Sequence, residues 1–382
     1  MKKNNHFKEI KIAFTYYIYR LFKIERCKVV FCNYNGKGYG CNPKYIAEEL
    51  IRRHPDWDYV WFTKDMNSKF PKQIRSVLYD SKESIYELAT AKVWIDNQRK
   101  LWFHRKRNKQ FFIETWHGAG IPIKKIGADN PNNFHNKPYE HTSKHMNRIA
   151  DLMISGSETC SEIFHRAFLY EKKILNCGYP RNDIFFGDLK EYRNKIEKQF
   201  GIGTQEKIVL YAPTYRNGRQ LDKYTIEYKK VLKALTERFG GKWKILLRLH
   251  PSMREKSAEL LKDNTIVDAS LYEDMQELLA ASDVLISDYS SVISEFALMK
   301  KPVFLFATDI KEYSGERDFY CDYFDLPFPV AENNCELIKN IIEFKMEKYL
   351  TELEKCFKKY KICEYGTASK TVADIIEAKV ND

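Results

Sequence analysis

The sequence predicts an α/β protein with two Rossmann-like domains and a central cleft. Short apolar runs alternate with helical patterns in both halves of the chain, which is typical of parallel sheets. The 382 residues, 44% of them hydrophobic, suffice for two domains of ordinary size. A charged stretch ending in glycines, residues 186–204, separates the halves. We therefore expect an N-terminal domain at 29–187 and a C-terminal domain at 188–382.

The first half begins with an apolar strand at 28–33, which is followed by Gly36, Gly38 and Gly40. This spacing lacks the third glycine of the dinucleotide fingerprint, so dinucleotide binding is not favoured. The other predicted elements of this half are strands at 59–63, 93–95, 111–115 and 152–155, and helices at 44–53, 85–91 and 158–167.

The second half repeats the alternation of strands and helices. Its predicted elements are strands at 207–211, 244–249, 265–267, 284–286 and 303–306, and helices at 224–239, 275–281, 292–299 and within 335–380. Ligands of such sheets bind beyond the carboxyl ends of the strands, so the candidate residues are sought there.

The balance of charge favours an anionic partner. The chain holds 64 Lys and Arg against 52 Asp and Glu, a formal net charge of +12. Nucleic acid, a membrane surface and a phosphorylated substrate all fit this balance. We expect no nucleic-acid partner, because no signature of a nucleic-acid-binding module occurs. Nine scattered cysteines without a C-x-x-C pair favour a reducing compartment.

Residues 1–28 form a separate basic and aromatic segment. Eight Lys and Arg stand against Glu9 and Glu25, which gives this segment a charge of +6. The pattern predicts an amphipathic helix that lies on an anionic membrane surface. A helix packed on the protein body is an equal alternative. No run of about 18 apolar residues, the length that spans a bilayer, is present.

The polar turn at 287–291, here called the serine turn, is the clearest candidate for anion binding. It reads S-D-Y-S-S and lies between an apolar strand and a new helical pattern. Ser290 and Ser291 suit a helix N-cap, and Asp288 lies in the same turn. A helix N-terminus attracts phosphate through its unpaired N–H groups and its dipole. An ordinary capped helix without a ligand is the alternative.

His117 directly follows the predicted strand at 111–115, at the end where an α/β site forms. A neutral imidazole can take a proton from an alcohol near neutral pH. Gly118 and Gly120 permit a close approach of substrate to the backbone. A histidine whose ring is satisfied by a neighbouring carbonyl is the alternative.

His250 follows the predicted strand at 244–249, and Arg248 projects to the same face of that extended chain. A cation beside a histidine at a strand end suits a phosphate group. Weaker candidates are Arg181, Arg216, Lys124 and Arg317, and for each of them a surface charge or turn is the favoured interpretation. No metal-binding motif stands out, so no cofactor is expected, and a Mg²⁺ requirement stays open.

Together these segments resemble the CDP-glycerol glycerophosphotransferase family, the teichoic acid primases and polymerases. The resemblance covers residues 31–329. The motifs that carry it are N-P-K-Y-I at 42–46, A-K-V-W-I-D-N at 91–97, E-T-W-H-G at 114–118, P-I-K-K-I-G at 122–127, G-Y-P-R-N-D at 178–183, Y-A-P-T-Y-R at 211–216, L-R-L-H-P at 247–251, and S-D-V-L-I-S-D-Y-S-S-V at 282–292.

The resemblance implies a GT-B-like pair of domains, with the CDP donor in the C-terminal domain and the acceptor in the N-terminal domain. It also implies peripheral attachment to the cytoplasmic face of the membrane. By matching motif, His117 corresponds to the general base. His250 corresponds to a second catalytic residue, a ligand of the donor phosphate that also assists the leaving group. Ser290 and Ser291 fall where the family contacts the diphosphate. Asp318 replaces the glycine of a family arginine-glycine pair that begins at Arg317.

The expected reaction moves glycerol phosphate from CDP-glycerol to a hydroxyl of a lipid-linked polyol-phosphate or glycan acceptor, in teichoic-acid or capsule synthesis, and releases CMP. The alternatives are a CDP-ribitol or other CDP-polyol phosphotransferase, a nucleotide-sugar glycosyltransferase, and a non-catalytic polyanion-binding module. The sequence leaves the oligomeric state open, a homo-oligomer included.

Overall fold

The computed structural model describes residues 2–133, 136–214, 225–249 and 265–382, with the backbone alone for residues 2–9 and 316–317. The chain divides into two compact units. Unit 1 comprises Met1–Gly118, Asn133–Asp183 and Cys363–Asp382, and unit 2 comprises Ala119–Asn132 and Ile184–Ile362. Each unit contains a parallel sheet, which confirms the predicted α/β class with two domains.

The sheet of unit 1 has, among the described residues, seven parallel strands in the order β3-β2-β1-β4-β5-β6-β7. The strand order reverses between β1 and β4, and the carboxyl ends of strands at such a point form ligand sites. The strands are β1 Glu25–Cys32, β2 Asp58–Thr63, β3 Ile74–Leu78, β4 Ala91–Asp96, β5 Phe111–Glu114, β6 Leu152–Ser155 and β7 Ile174–Asn176.

The sheet of unit 2 has six strands within the described ranges, in the order β10-β9-β8-β11-β12-β13, and neighbouring strands are parallel. These strands are nearly continuous apolar runs because both faces of such a sheet are covered. They are β8 Glu206–Tyr211, β9 Lys242–Leu247, β10 Ile266–Asp268, β11 Val284–Ser287, β12 Val303–Phe306 and β13 Val330–Ala331.

Helices connect the strands of both units. They are α1 Lys2–Tyr19, α2 Cys41–Arg53, α3 Lys82–Thr90, α4 Lys137–Ile149, α5 Glu158–Ala167, α6 Lys190–Phe200, α7 Tyr228–Phe239, α8 Met275–Ala281, α9 Val292–Ala297, α10 Ile310–Arg317, α11 Asn334–Ile342, α12 Met346–Tyr360 and α13 Ala368–Asn381. Among these described helices, none is both long and apolar enough to cross a bilayer.

The C-terminal helix differs from the predicted domain assignment, which placed all of 188–382 in one domain. Helix α13 belongs to unit 1, where Val372, Ala373, Ile376 and Val380 are part of the same core as the β1 side chains. Its apolar positions recur three to four residues apart and form one buried stripe. Burial of this stripe holds the end of the chain on the first sheet.

The segment Ala119–Asn132 also departs from the predicted boundary, which included it in the N-terminal domain at 29–187. It belongs to unit 2, because Lys124 forms an antiparallel bridge with Phe319. Lys125 N donates to Asp318 O at 3.0 Å, and Tyr320 N donates to the carbonyl of Ile123 at 2.9 Å. These long-range backbone bonds decide where the segment lies, and local sequence does not encode them.

Helix α1 lies within the predicted basic segment, although β1 already begins at Glu25. One face of α1 is packed on the body, with Ala13 and Tyr16 buried. The other face is exposed and apolar, with 67% of Phe14 and 43% of Ile18 accessible to solvent. Leu21, just after the helix, is 86% accessible. The buried face agrees with the alternative of a helix packed on the protein body, and contact with a membrane stays a prediction.

Candidate active site

The turn at 115–118, called here the histidine turn, extends from the carboxyl end of β5. Thr115 N donates to Asp96 O at 2.8 Å, so pairing with β4 continues one residue beyond the strand. Trp116 then adopts φ 53°, a left-handed conformation that is a genuine outlier for a bulky residue. This reversal directs the chain away from the sheet at His117.

The ring of His117 has a defined tautomer. Its Nδ1 lies 2.8 Å from the carbonyl oxygen of Asn97, which can only accept a hydrogen bond. In the neutral ring Nδ1 therefore carries the proton, and Nε2 is the nitrogen that can accept one. The half-buried ring packs against Trp116 at 4.0 Å and Tyr34 at 5.2 Å between centroids. This arrangement suits a general base.

Asn97 is fixed in its turn by two side-chain hydrogen bonds. Its Oδ1 accepts from Tyr34 N at 2.8 Å, and its Nδ2 donates to Asn33 Oδ1 at 2.7 Å. The carbonyl that orients His117 is therefore part of a buried network between the ends of β1 and β4. Outer partners of this kind set the tautomer and orientation of a functional histidine.

Two buried side chains hold the backbone of the histidine turn. Asn42 Nδ2 donates to Thr115 O at 3.3 Å and to Trp116 O at 3.1 Å. Arg181 Nη2 donates to His117 O at 3.2 Å and to the Gly118 carbonyl at 2.6 Å. Both side chains are at least 97% buried, so these bonds form away from bulk water.

Several residues just after β1, at the start of α2 and just after β5 have left-handed backbone. Besides Trp116, positive φ angles occur at Tyr34 (43°), Asn35 (56°) and Cys41 (56°). Tyr34 touches the imidazole, and Cys41 Sγ accepts from Arg181 Nη1 at 2.9 Å. Such conformations cost about 1–3 kcal/mol each and gather at functional sites, where the surrounding structure over-determines them.

A buried carboxyl supports the histidine turn from beneath. Glu114 Oε1 accepts from Trp116 N at 2.9 Å. Burial raises the pKa of Glu114 to about 8, so most of this carboxyl is protonated at pH 7. Nearby, Asp96 and Lys100 form a buried ion pair at 2.5 Å. Glu114, Asp96 and Lys100 are thus buried polar residues close to the histidine turn.

The serine turn at the end of β11 is organised by Asp288. Its carboxylate accepts from Thr214 N at 2.8 and 3.0 Å and from Tyr289 N at 2.6 Å. The Ser287 hydroxyl donates to Ala212 O at 2.7 Å. These bonds join the ends of β8 and β11, so Asp288, a predicted binding residue, acts here on the backbone.

The predicted serine N-cap is not formed. Ser291 occupies the N-cap position of α9, but its side chain makes no capping hydrogen bond. Ser290 Oγ lies 3.5 Å from Val292 N, at the limit of a hydrogen bond. Both serines are half-buried. The reason is geometric, since Ser291 already has helical dihedrals (φ −61°, ψ −24°) where a cap needs extended ones.

The guanidinium group of Arg248 donates hydrogen bonds to backbone carbonyls. Its Nη1 donates to Ala269 O at 2.9 Å, to Ser270 O at 3.2 Å and to Tyr272 O. Burial lowers the pKa of this guanidinium. The arginine therefore fixes the chain after β10, a role that the sequence pattern did not indicate.

The remaining predicted residues fall in different places. His117, Gly118 and Arg181 meet in unit 1, whereas Lys124 lies in the segment of unit 2 that pairs with Phe319. A side chain at Gly118 would place its Cβ 2.8 Å from Trp116 Nε1, which explains the glycine. His250, Arg216 and the side chain of Arg317 lie outside the described residues.

Sequence reasoning missed Asn42, Asn97 and Glu114 as parts of the site. Their signal was present, because each lies in a motif that carried the resemblance: N-P-K-Y-I, A-K-V-W-I-D-N and E-T-W-H-G. In the described part of the chain, no cluster of three or more His, Cys, Asp or Glu side chains is arranged to hold a metal ion.

The chain is similar in sequence to known phosphotransferases. Residues 13–378 match the family model described as CDP-Glycerol:Poly(glycerophosphate) glycerophosphotransferase. The chain is 31% identical over 93% of its length to the teichoic acid poly(glycerol phosphate) polymerase of Staphylococcus epidermidis, of which it covers 51%. It is 31% identical over 96% of its length to the teichoic acid glycerol-phosphate transferase of Staphylococcus aureus, covering 98% of that protein.

A ribitol enzyme is similarly related. The teichoic acid ribitol-phosphate primase of Bacillus spizizenii is 31% identical over 94% of this chain, which covers 92% of that protein. The chain thus spans about half of the first polymerase and nearly all of the transferase and the primase.

Among solved structures, the Wall Teichoic Acid Polymerase TagF superposes with a TM-score of 0.85 and 29% identity, covering 100% of this chain and 99% of that chain. A variant of the same polymerase after a soak with CDPG superposes with a TM-score of 0.84. These matches confirm the predicted GT-B-like fold class.

Proposed function

The chain belongs to the CDP-glycerol:poly(glycerophosphate) glycerophosphotransferase family, and on this premise we propose that it transfers glycerol phosphate from CDP-glycerol to an acceptor hydroxyl. The acceptor is a lipid-linked polyol phosphate or glycan of the teichoic-acid or capsular type, and the second product is CMP. The observation that carries the proposal is the His117 ring, whose Nδ1 is held by Asn97 O so that Nε2 can accept a proton.

The proposed reaction is one in-line displacement at phosphorus. His117 Nε2 takes the proton of the acceptor hydroxyl while its oxygen forms a bond to the phosphorus next to glycerol. The bond from this phosphorus to the bridging oxygen breaks, and CMP leaves with that oxygen. Positioning and charge stabilisation supply most of the rate enhancement in phosphoryl transfer. No metal is assigned a step.

We assign the donor pyrophosphate to the serine turn. Ser290 and Ser291 supply hydroxyls at the start of α9, where backbone N–H groups also favour an anion. Asp288 and Arg248 are bonded to backbone, so their proposed task is to shape this region. His250, Arg216, Lys124 and Arg317 remain proposed donor ligands on the strength of motif position.

CDP-ribitol is the second candidate donor, because the ribitol-phosphate primase is as similar to this chain as the glycerol enzymes are. The decisive assay incubates the full chain and a lipid-linked acceptor separately with CDP-glycerol, CDP-ribitol and UDP-sugars. We expect CMP release with CDP-glycerol. Faster release with CDP-ribitol would reassign the donor, and UDP release would make the protein a glycosyltransferase. Binding without any nucleotide release would leave a polyanion-binding module.

We further propose peripheral attachment to the cytoplasmic face of the membrane through α1 and the residues that follow it. The support is the exposed apolar side chains of Phe14, in α1, and Leu21, just after α1, with Arg20 and Lys23 adjacent in the sequence. Co-sedimentation with anionic phosphatidylglycerol vesicles and neutral phosphatidylcholine vesicles tests this. The double variant Phe14→Ser/Leu21→Ser should lose about tenfold or more in partition to anionic vesicles. The control Phe324→Ser removes a similarly exposed aromatic from unit 2. Equal partition of all three proteins would refute the proposal.

A further inference from the structure

We propose that Asn42 and Arg181 are positioning residues, a clamp that holds the histidine turn in the conformation that presents the His117 ring. The inference rests on the proposed role of His117 as general base. It assigns Arg181 to the backbone of the turn, whereas the sequence pattern had made it a candidate for substrate binding.

The two clamp residues donate hydrogen bonds to four successive backbone carbonyls. Asn42 donates to the carbonyls of residues 115 and 116, and Arg181 donates to those of residues 117 and 118. The two clamp residues are themselves joined, since Arg181 N donates to Asn42 Oδ1 at 3.3 Å. Two side chains thus fix four consecutive peptide units, which no repeating secondary structure holds at this point.

Burial argues against a direct role of Arg181 in donor binding. Its side chain is only 3% exposed, and its two terminal nitrogens donate to Cys41 Sγ and to the turn carbonyls. A phosphate would have to displace bonds formed in a low-dielectric interior, where leaving a polar group unpaired is costly. The planar fork of an arginine is suited to such fixed multiple contacts, and a lysine is not.

The turn requires such a clamp because it is strained. Trp116 adopts φ 53°, and without bonds to its flanking carbonyls the peptide would relax to a more favourable conformation. Relaxation would rotate the peptide that carries His117 and displace its Nδ1 from Asn97 O. A shift of about 1 Å in a catalytic group costs on the order of 100-fold in rate.

The test compares Arg181→Lys and Asn42→Asp with wild type and with a surface control, Arg52→Lys. Arg52 is 69% exposed and lies on the same helix as Asn42. Asn42→Asp keeps the shape of the side chain but replaces the donating Nδ2 by an accepting oxygen. We expect kcat for CMP release to fall about 100-fold in both clamp variants, with Kd for CDP-glycerol within about twofold of wild type.

A spectroscopic measurement reports the geometry independently. In protein with ¹⁵N-labelled histidine, the ring shifts of His117 should indicate an Nδ1–H tautomer in wild type and in Arg52→Lys. A mixture of tautomers is expected in the clamp variants, because the bond to Asn97 O is loosened. Thermal unfolding and circular dichroism establish that each variant is folded, and Asn42→Asp suffices if Arg181→Lys does not fold.

The outcomes separate this inference from the proposed function. A tenfold or greater rise in Kd with kcat retained would make Arg181 a donor ligand and overturn the clamp. Wild-type kcat and an unchanged tautomer in both variants would also overturn it, provided that His117→Ala is inactive. An active His117→Ala would instead remove the general base on which the inference rests.

Discussion

The histidine turn and the serine turn both lie at the carboxyl ends of parallel strands, but they are built in opposite ways. Buried side chains bind four carbonyls of the histidine turn, and a carbonyl fixes its imidazole. In the serine turn Asp288 binds backbone N–H groups, whereas the half-buried serines form no side-chain cap of good geometry. A turn that carries a base needs a rigid ring, whereas a turn that receives an anion needs available donors.

Removal of the imidazole should produce the largest effect. His117→Ala should lower CMP release by about 100- to 10,000-fold, because the acceptor hydroxyl loses its general base. Isothermal titration with CDP-glycerol should give an almost unchanged Kd, since the donor is assigned to the other turn. Turnover at the wild-type rate would remove His117 from the mechanism and end the contrast between the turns.

The serine turn should respond in binding rather than in proton transfer. Ser290→Ala/Ser291→Ala should raise Kd for CDP-glycerol about tenfold, which corresponds to the loss of a hydrogen bond to a charged group. Thr351→Ala, an exposed hydroxyl on α12 of the same unit, serves as the control. If the double variant bound the donor as tightly as this control, the anion would have to be assigned elsewhere in the chain.

The pH dependence of stability should test the neutral carboxyl group that is bonded to the histidine turn. Burial raises the pKa of Glu114 from 4.5 to about 8, so the folded state retains a proton that the unfolded state releases. The stabilisation by the neutral carboxyl is complete below pH 4.5 and is lost as the pH rises through about 8.

The Tm of Glu114→Gln relative to wild type should therefore be higher at pH 8 than at pH 5. The difference should be about 2–4 °C for each kcal/mol of stability that wild type loses between these pH values. Calorimetric scans of wild type and variant across this range provide the measurement. Asp65→Asn, which removes an exposed carboxylate from unit 1, is the control for a general effect of charge. Parallel pH profiles of all three proteins would contradict a buried neutral Glu114.

Asp318, which directly precedes the bridge residue Phe319, should give the smallest effect. It adopts φ 57° and ψ 159°, a region that favours glycine, at the end of α10. Its ion pair with Lys125 is exposed and contributes little. Asp318→Gly should consequently stabilise unit 2 by about 1 kcal/mol, whereas Asp318→Ala should not. Thermal scans that place Asp318→Gly below wild type would show that the ion pair outweighs the strain.

Much of the fold could be predicted because its signals are local. Buried parallel strands such as β1, β5 and β11 are short apolar runs that end at polar turns, and this pattern identifies them without homologues. Strand β7 and helix α4 were missed. The strand has three residues, and the helix has few apolar positions, so neither has a strong periodic signal.

The sequence by itself determined two parallel α/β halves, a strand-end histidine and a polar turn before α9, because each depends on residues that are adjacent in the chain. Only the tertiary structure decided that α13 returns to unit 1, that residues 119–132 pair with unit 2, and that Arg181 holds the histidine turn. These outcomes depend on hydrogen bonds and apolar contacts between residues that are often more than a hundred positions apart. No local pattern encodes such partners, because a buried arginine and an exposed one have the same sequence signature.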